Sequence, residues 1–234
     1  FPITCIDDFY SDPDEVRRFA LSCDFDQKTA GNYPGVRTKM IHYISENFFN
    51  TFCSKLFSLF YNYKHEHINW IVETTFQKIY PFSDNKTSLF NEGWVHLDSD
   101  SSIAAGVIYL NPDPYPEAGT SFYEMKDHTY KYDGRLRDTL YATGTVDKQA
   151  YIKEKYRNTR AHQKILEIKN RYNRCSFYGA QYPHRESNFV AHDTEPRLTQ
   201  AFFIRDIKSM GPPLQRFHST PTVKSELTKA HHVQ

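Results

Sequence analysis

A chain of 234 residues buries roughly 70 % of the surface its unfolded form would expose, so neither disulfides nor a structural metal are needed for stability. With 39 % hydrophobic, 24 % charged and 16 % aromatic residues, the composition excludes intrinsic disorder and low complexity. Lys plus Arg (29) against Asp plus Glu (28) leaves +1, which provides no bulk field for nucleic acid or anionic membrane.

The first residues, Phe1-Pro2-Ile3-Thr4, lack a charged region followed by an apolar one, so a secretory signal is expected to be either absent or already removed. Ser11-Asp12-Pro13-Asp14-Glu15 supplies a cap, an early proline and first-turn acids. With Val16, Phe19, Ala20 and Cys23 following at helical spacing, it predicts a helix over 13–23. Phe48, Phe49, Phe52, Cys53, Leu56, Phe57 and Phe60 predict a second amphipathic helix over 46–61, with its aromatic face in the core. His65-Glu66-His67 lacks the spacing of a zinc-protease motif and reads as a solvated segment.

From Trp70 the texture changes to short β-prone runs over 70–80, 102–110, 120–124, 174–180, 189–192 and 198–204, several of them separated by Asn, Asp, Ser and Pro clusters. That pattern predicts a mainly β sandwich or barrel supported by N-terminal helices, an α+β chain. The charged segment 125–173 interrupts it. Its Thr145-Val146-Asp147 start and the positions Tyr151, Ile152, Tyr156, Ile165, Leu166 and Ile168 read as a helical insertion, a lid or a wall. With no repeat and no linker, the chain is read as one domain: helical support over 1–69, the β core over 70–206, and a loosely ordered tail over 207–234. No apolar stretch approaches the roughly 20 residues that span a bilayer. The four cysteines, Cys5, Cys23, Cys53 and Cys175, have no CxxC or framework spacing, which suits reduced thiols in a cytoplasmic setting.

Among 11 histidines, His-x-acid occurs as His96-Leu97-Asp98 and His184-Arg185-Glu186. Chance composition predicts about 1.3 such triplets, so the triplet alone carries no weight. The setting of the first raises it: it leads into a strand, and residues two apart in extended chain point the same way, so His96 and Asp98 can bind one ion. A third ligand, His184 with His192 as its rival, completes the two-His, one-carboxylate set that suits Fe(II) with open positions. Arg197, Thr199, Ala201 and Phe203 share one strand face. A guanidinium and a hydroxyl pointing together into a barrel call for an anion, such as the far end of a dicarboxylate.

His96-x-Asp98, the distal His184 and Arg197-x-Thr199 resemble the signature of the Fe(II)/2-oxoglutarate-dependent oxygenases. Tyr109-Leu110-Asn111, Gly119-Thr120-x-Phe122, Tyr80-Pro81 and Asn173-Arg174 sharpen the resemblance toward the prolyl-hydroxylase-like branch, over residues 70–206. The resemblance implies a double-stranded β-helix (jelly roll) and a dioxygenase using Fe(II), 2-oxoglutarate and O2. Its reaction would be hydroxylation of a C–H bond in a peptidyl, amino-acid or other small substrate, with succinate and CO2 as coproducts. It also implies iron ligation by His96, Asp98 and His184, and cosubstrate binding by Arg197, Thr199, Tyr109 and Tyr80. Two readings stand beside it: a jelly-roll module that binds a metal or ligand without turnover, and an oxygenase acting on nucleic acid.

Overall fold

In a computed structural model, residues 1–26, 33–62, 65–98, 101–191 and 195–214 are described. Strand β1 (Thr4–Ile6) leads to helix α1 (Pro13–Ser22), where Asp12 accepts a hydrogen bond from the Glu15 amide at 2.8 Å and Pro13 fits the first turn. Two short strands follow, β2 (Phe25–Asp26) and β3 (Val36–Thr38). After them come helices α2 (Ile41–Ile44) and α3 (Glu46–Ser58), the latter capped by Ser45. The β-rich part runs through β4 (Asn69–Ile79), β5 (Ala104–Tyr109) and β6 (Thr120–Met125). Helices α4 (Arg135–Thr143) and α5 (Lys148–Arg160) then precede β7 (His162–Ile168), β8 (Cys175–Gly179), β9 (His184–Glu186) and β10 (Arg197–Lys208).

Among the described residues the strands form two antiparallel sheets, one ordered β1-β8-β5-β10-β4-β3-β2 and one ordered β7-β6-β9. Side-chain alternation along β10 explains how the large sheet serves two purposes. Leu198, Phe202 and Ile204 join Phe52, Leu56 and Phe57 of α3 and Val16 and Ala20 of α1 in one apolar core. Arg197, Thr199, Ala201 and Phe203 face the other way and line a cavity. A smaller cluster of Ala105, Phe122, Ile168 and Tyr178 draws residues from both sheets.

The insertion departs from expectation at its C-terminal end. Helices α4 and α5 form, but His162–Ile168 is a strand, paired with β6 from Thr120↔Ile168 to Met125↔His162. Ile165 and Leu166 stand exposed, so apolar spacing over so short a run did not report a buried helical face. The strand expected over 189–192 does not form in its described part: the Phe189 amide bonds to the Asn91 carbonyl at 2.7 Å and the Val190 amide to Asn188 Oδ1 at 2.8 Å, which leaves no ladder. His192 lies outside the described residues, as does the tail beyond 214. Among the described residues no helix is long and apolar enough to cross a membrane, and all four cysteines are free thiols.

Candidate functional site

His96 and His184 are brought together by a two-bond β-bridge, each amide donating to the other's carbonyl at 3.0 Å. Their rings lie 4.6 Å apart, and the Tyr178 ring lies 4.5 Å from that of His184. Each Nδ1 points at a backbone carbonyl, His96 at Trp94 (2.7 Å) and His184 at Tyr182 (2.9 Å). A proton held there fixes the tautomer and leaves both Nε2 atoms free as ligands. Asp98 faces both, with Oδ1 4.0 Å from His96 Nε2 and Oδ2 3.6 Å from His184 Nε2.

Ligand atoms of the three residues lie within 4.8 Å of one another, the one such group of His, Cys, Asp or Glu found among the described residues. Asp98 Oδ2 is buried without a hydrogen-bond partner. A carboxylate with an orphaned oxygen, set beside two imidazole nitrogens, is costly alone and is satisfied by a divalent ion, so these residues fit a metal. Burial, reinforced by the neighbouring His184, holds the His96 imidazole below its usual pKa range and so in the ligating form. His65, Glu66 and His67 are not drawn into any such cluster among the described residues.

The metal group opens into a cavity of about 500 Å³. On its β10 wall, Arg197 is only 2 % exposed and Thr199 1 %. Arg197 Nε donates to the Ala118 carbonyl at 2.9 Å, but Nη2 has no partner, and neither has Thr199 Oγ1. Two buried, unsatisfied donors side by side fit the carboxylate of a ligand. Tyr109 stacks beside the guanidinium, 5.4 Å from its centre, and its hydroxyl bonds Thr120 Oγ1 at 2.8 Å. Burial, partly offset by Arg197, pushes that phenol up to about 12, so it is a neutral hydrogen-bonding group. Tyr80 is not brought to this cavity. It is 55 % exposed, just beyond the end of β4, and borders a separate depression with Gly35, Val36 and Phe82.

Arg37 and Glu186, which also line the cavity, were not singled out from the sequence. Arg37 enters from β3, a strand too short to show periodicity. Glu186 lies two residues from His184 on β9, so the alternation that recommended His96 and Asp98 applied to it as well. Burial would raise its carboxyl, but His96 first, then a hydrogen bond from its own backbone amide, then Arg197 and His184, outweigh that and hold it below the usual range.

Helix α5 forms a wall behind the metal group. Asn158 pairs with both backbone groups of Val95, donating to its carbonyl and accepting from its amide at 2.9 Å each. The Tyr151 hydroxyl accepts from Trp94 Nε1 at 2.9 Å, and the buried Lys155 amino group, whose pKa burial pushes well down, donates to the carbonyls of Glu92 and Gly93. The insertion thereby fixes the segment that ends in His96.

Comparison with known proteins gives one family: the model described as a family of unknown function (DUF6445) matches residues 1–204. No curated protein matches. Among solved structures, a Trichoplax adhaerens prolyl hydroxylase in complex with a hypoxia inducible factor peptide fragment is 12 % identical, with a TM-score of 0.47 over 87 % of this chain and 83 % of that one. A Pseudomonas putida prolyl-4-hydroxylase is 13 % identical, with a TM-score of 0.42 over 87 % and 91 %. The non-heme alpha ketoglutarate dependent epimerase SnoN from nogalamycin biosynthesis is 12 % identical, with a TM-score of 0.45 over 91 % and 79 %.

Proposed function

Because the chain belongs to DUF6445, a family of unknown function, we propose a function from the site itself: an Fe(II)- and 2-oxoglutarate-dependent dioxygenase that hydroxylates a C–H bond of a small or peptidyl substrate. One observation carries it. A His-Asp-His group with an orphaned carboxylate oxygen and an Arg-Thr pair with orphaned donors line the same cavity. A structural ion would need no anion site beside it, and a simple anion binder would need no metal ligands.

In this reading His96, Asp98 and His184 hold the iron, and three protein ligands leave positions open for other ligands. Iron with 2-oxoglutarate and O2 supplies an oxidant for C–H bonds, with succinate and CO2 as coproducts. Arg197 and Thr199 receive the far carboxylate of the cosubstrate, and Tyr109 keeps the guanidinium plane in place. The backbone carbonyls of Trp94 and Tyr182 hold the imidazole protons on Nδ1 throughout. The apolar cluster that includes Phe122 and Tyr178 keeps bulk water from one side of His184. We further read the two sheets as a double-stranded β-helix.

The test is anaerobic addition of Fe(II) and then 2-oxoglutarate to metal-free protein, followed by visible spectroscopy. The reading expects a metal-to-ligand charge-transfer band that is lost in His184→Ala and requires far more 2-oxoglutarate in Arg197→Ala. Folded, iron-loaded protein without the band would overturn it and leave a binding module.

A further inference from the structure

Four arginines line the cavity, and their partners differ. Arg205 is paired with Glu73 at 2.6 Å and Arg137 with Asp138 at 2.6 Å. Arg197 belongs to the cosubstrate pair described above. Arg37 has no carboxylate within 4.0 Å among the described residues, and its buried Nε has no hydrogen-bond partner. Its guanidinium lies 3.9 Å from the centre of the Tyr33 ring, which holds one face and leaves the N–H edge unclaimed.

Arg37 is also separate from the cosubstrate pair. Tyr109, Thr199, Gln77 and Arg37 are register partners in one row across β5, β10, β4 and β3, so their side chains share the cavity face. Two strand spacings put the Arg37 backbone roughly 10 Å from that of Thr199.

The acids sort in the same way. Asp98 serves the metal and Glu73 is paired, whereas Glu186 has no cationic side chain within 4.0 Å among the described residues, setting aside the metal group. Its carboxylate packs over Gly93, where no side chain fits: an added Cβ would lie 2.4 Å from Oε2. Arg37 and Glu186 are near enough to act on each other electrostatically yet are not in contact. Once iron and 2-oxoglutarate occupy the site, their charges, Asp98 and Arg197 cancel. One cation, Arg37, and one anion, Glu186, remain facing the cavity. A neutral or singly charged substrate would desolvate at least one of them without compensation, which is costly.

We propose that the substrate is a free α-amino acid, bound as a zwitterion with its carboxylate on Arg37 and its ammonium on Glu186. This rests on the oxygenase reading and narrows it, since a peptide bond at either end of the substrate would remove one of the two charges. The remaining cavity suits a metabolite-sized ligand beside the cosubstrate.

The experiment is calorimetric titration of protein loaded with Mn(II) and 2-oxoglutarate, where no turnover is needed. The probes are the twenty standard free L-amino acids, each with its N-acetyl and carboxamide derivatives. The proposal expects at least one free amino acid to bind, with both derivatives weaker by about tenfold or more, since each loses a charged hydrogen bond. Arg37→Gln should abolish the preference for acid over carboxamide, and Glu186→Gln the preference for amine over N-acetyl. Arg37→Gln should still form the Fe(II)–2-oxoglutarate band at ordinary cosubstrate concentration. The zwitterion assignment falls if the band forms but no free amino acid binds, if the derivatives bind as tightly as the parent, or if Arg37→Gln loses the band. The wild-type derivative series decides the matter even where a variant folds poorly. Absence of the band in wild type sinks the oxygenase reading itself, and this assignment with it.

Discussion

Arg197 is held by one hydrogen bond, to the Ala118 carbonyl, and by the Tyr109 ring, while its Nη2 and the neighbouring Thr199 Oγ1 are left unpaired. Such groups cost stability until a ligand arrives, so stability and affinity should move in opposite directions. Thr199→Val, which keeps the shape and removes the hydroxyl, is expected to leave ligand-free protein as stable or more stable in urea denaturation. The same change should weaken 2-oxoglutarate binding about tenfold, at roughly 1.4 kcal/mol per factor of ten. Arg197→Lys should cost more, because a single ammonium cannot hold Ala118 and a carboxylate with one planar fork. A Thr199→Val protein that is destabilised yet binds 2-oxoglutarate normally would show that the hydroxyl serves the fold rather than the ligand.

At the level of elements, α5 acts as a buttress for the segment that carries His96, a candidate metal ligand. Asn158→Ala leaves the Val95 amide and carbonyl without partners in a buried setting and is expected to cost about 2 to 4 kcal/mol in denaturant titration. Because His96 follows Val95 directly, metal affinity measured by competition with a chelator should also fall. Tyr156→Ala, on the exposed face of the same helix, should change both by little, within about 0.5 kcal/mol for stability. The start of this helix was legible, since Asp147 caps it at Ala150. Its role was not: nothing in the local pattern singles out Lys155 and Asn158, yet both are 0 % exposed, because the carbonyls they satisfy come from a loop some sixty residues earlier in the chain. The same contrast runs through the site. Arg197 and Thr199 were legible because alternation on a long strand is a local property. Arg37 was hidden because three residues of strand carry no period and the row it joins is assembled by pairing between distant segments. Tyr80 was read from the resemblance and not from alternation: β4 ends at Ile79, and the β4 positions paired with Arg197 and Thr199 are Ile79 and Gln77, so Tyr80 is out of phase with the cavity face.

For the molecule as a whole, aromatic burial fixes the response to alkali. Burial raises the pKa of Tyr109 to about 12, and that of Tyr151 likewise to about 12. It lifts Tyr10 well above its ordinary value, and the Tyr10 hydroxyl keeps its proton in a hydrogen bond donated to Gln200 at 2.6 Å. Burial also moves the Cys53 thiol up to about 12. These acids keep their protons in the fold at a pH where the unfolded chain releases them. The folded state therefore binds more protons, and stability must fall as pH rises through the unfolded values. The loss should begin near pH 9 with the thiol and steepen above about 10, where Tyr10, Tyr109 and Tyr151 alone contribute roughly 4 kcal/mol per pH unit and the buried Tyr141 and Tyr178, also raised well above their ordinary value, add to it. Across the window to about 12 that approaches the whole stability of an ordinary domain. Urea denaturation from about pH 8 to about pH 12, with phenolate absorbance followed in parallel, checks it. Phenolate from these side chains should arrive with unfolding, and Tyr10→Phe should reduce the slope by one proton. Stability that stays flat to about pH 12 would mean that the rings ionise in place, with water reaching a core that the packing closes.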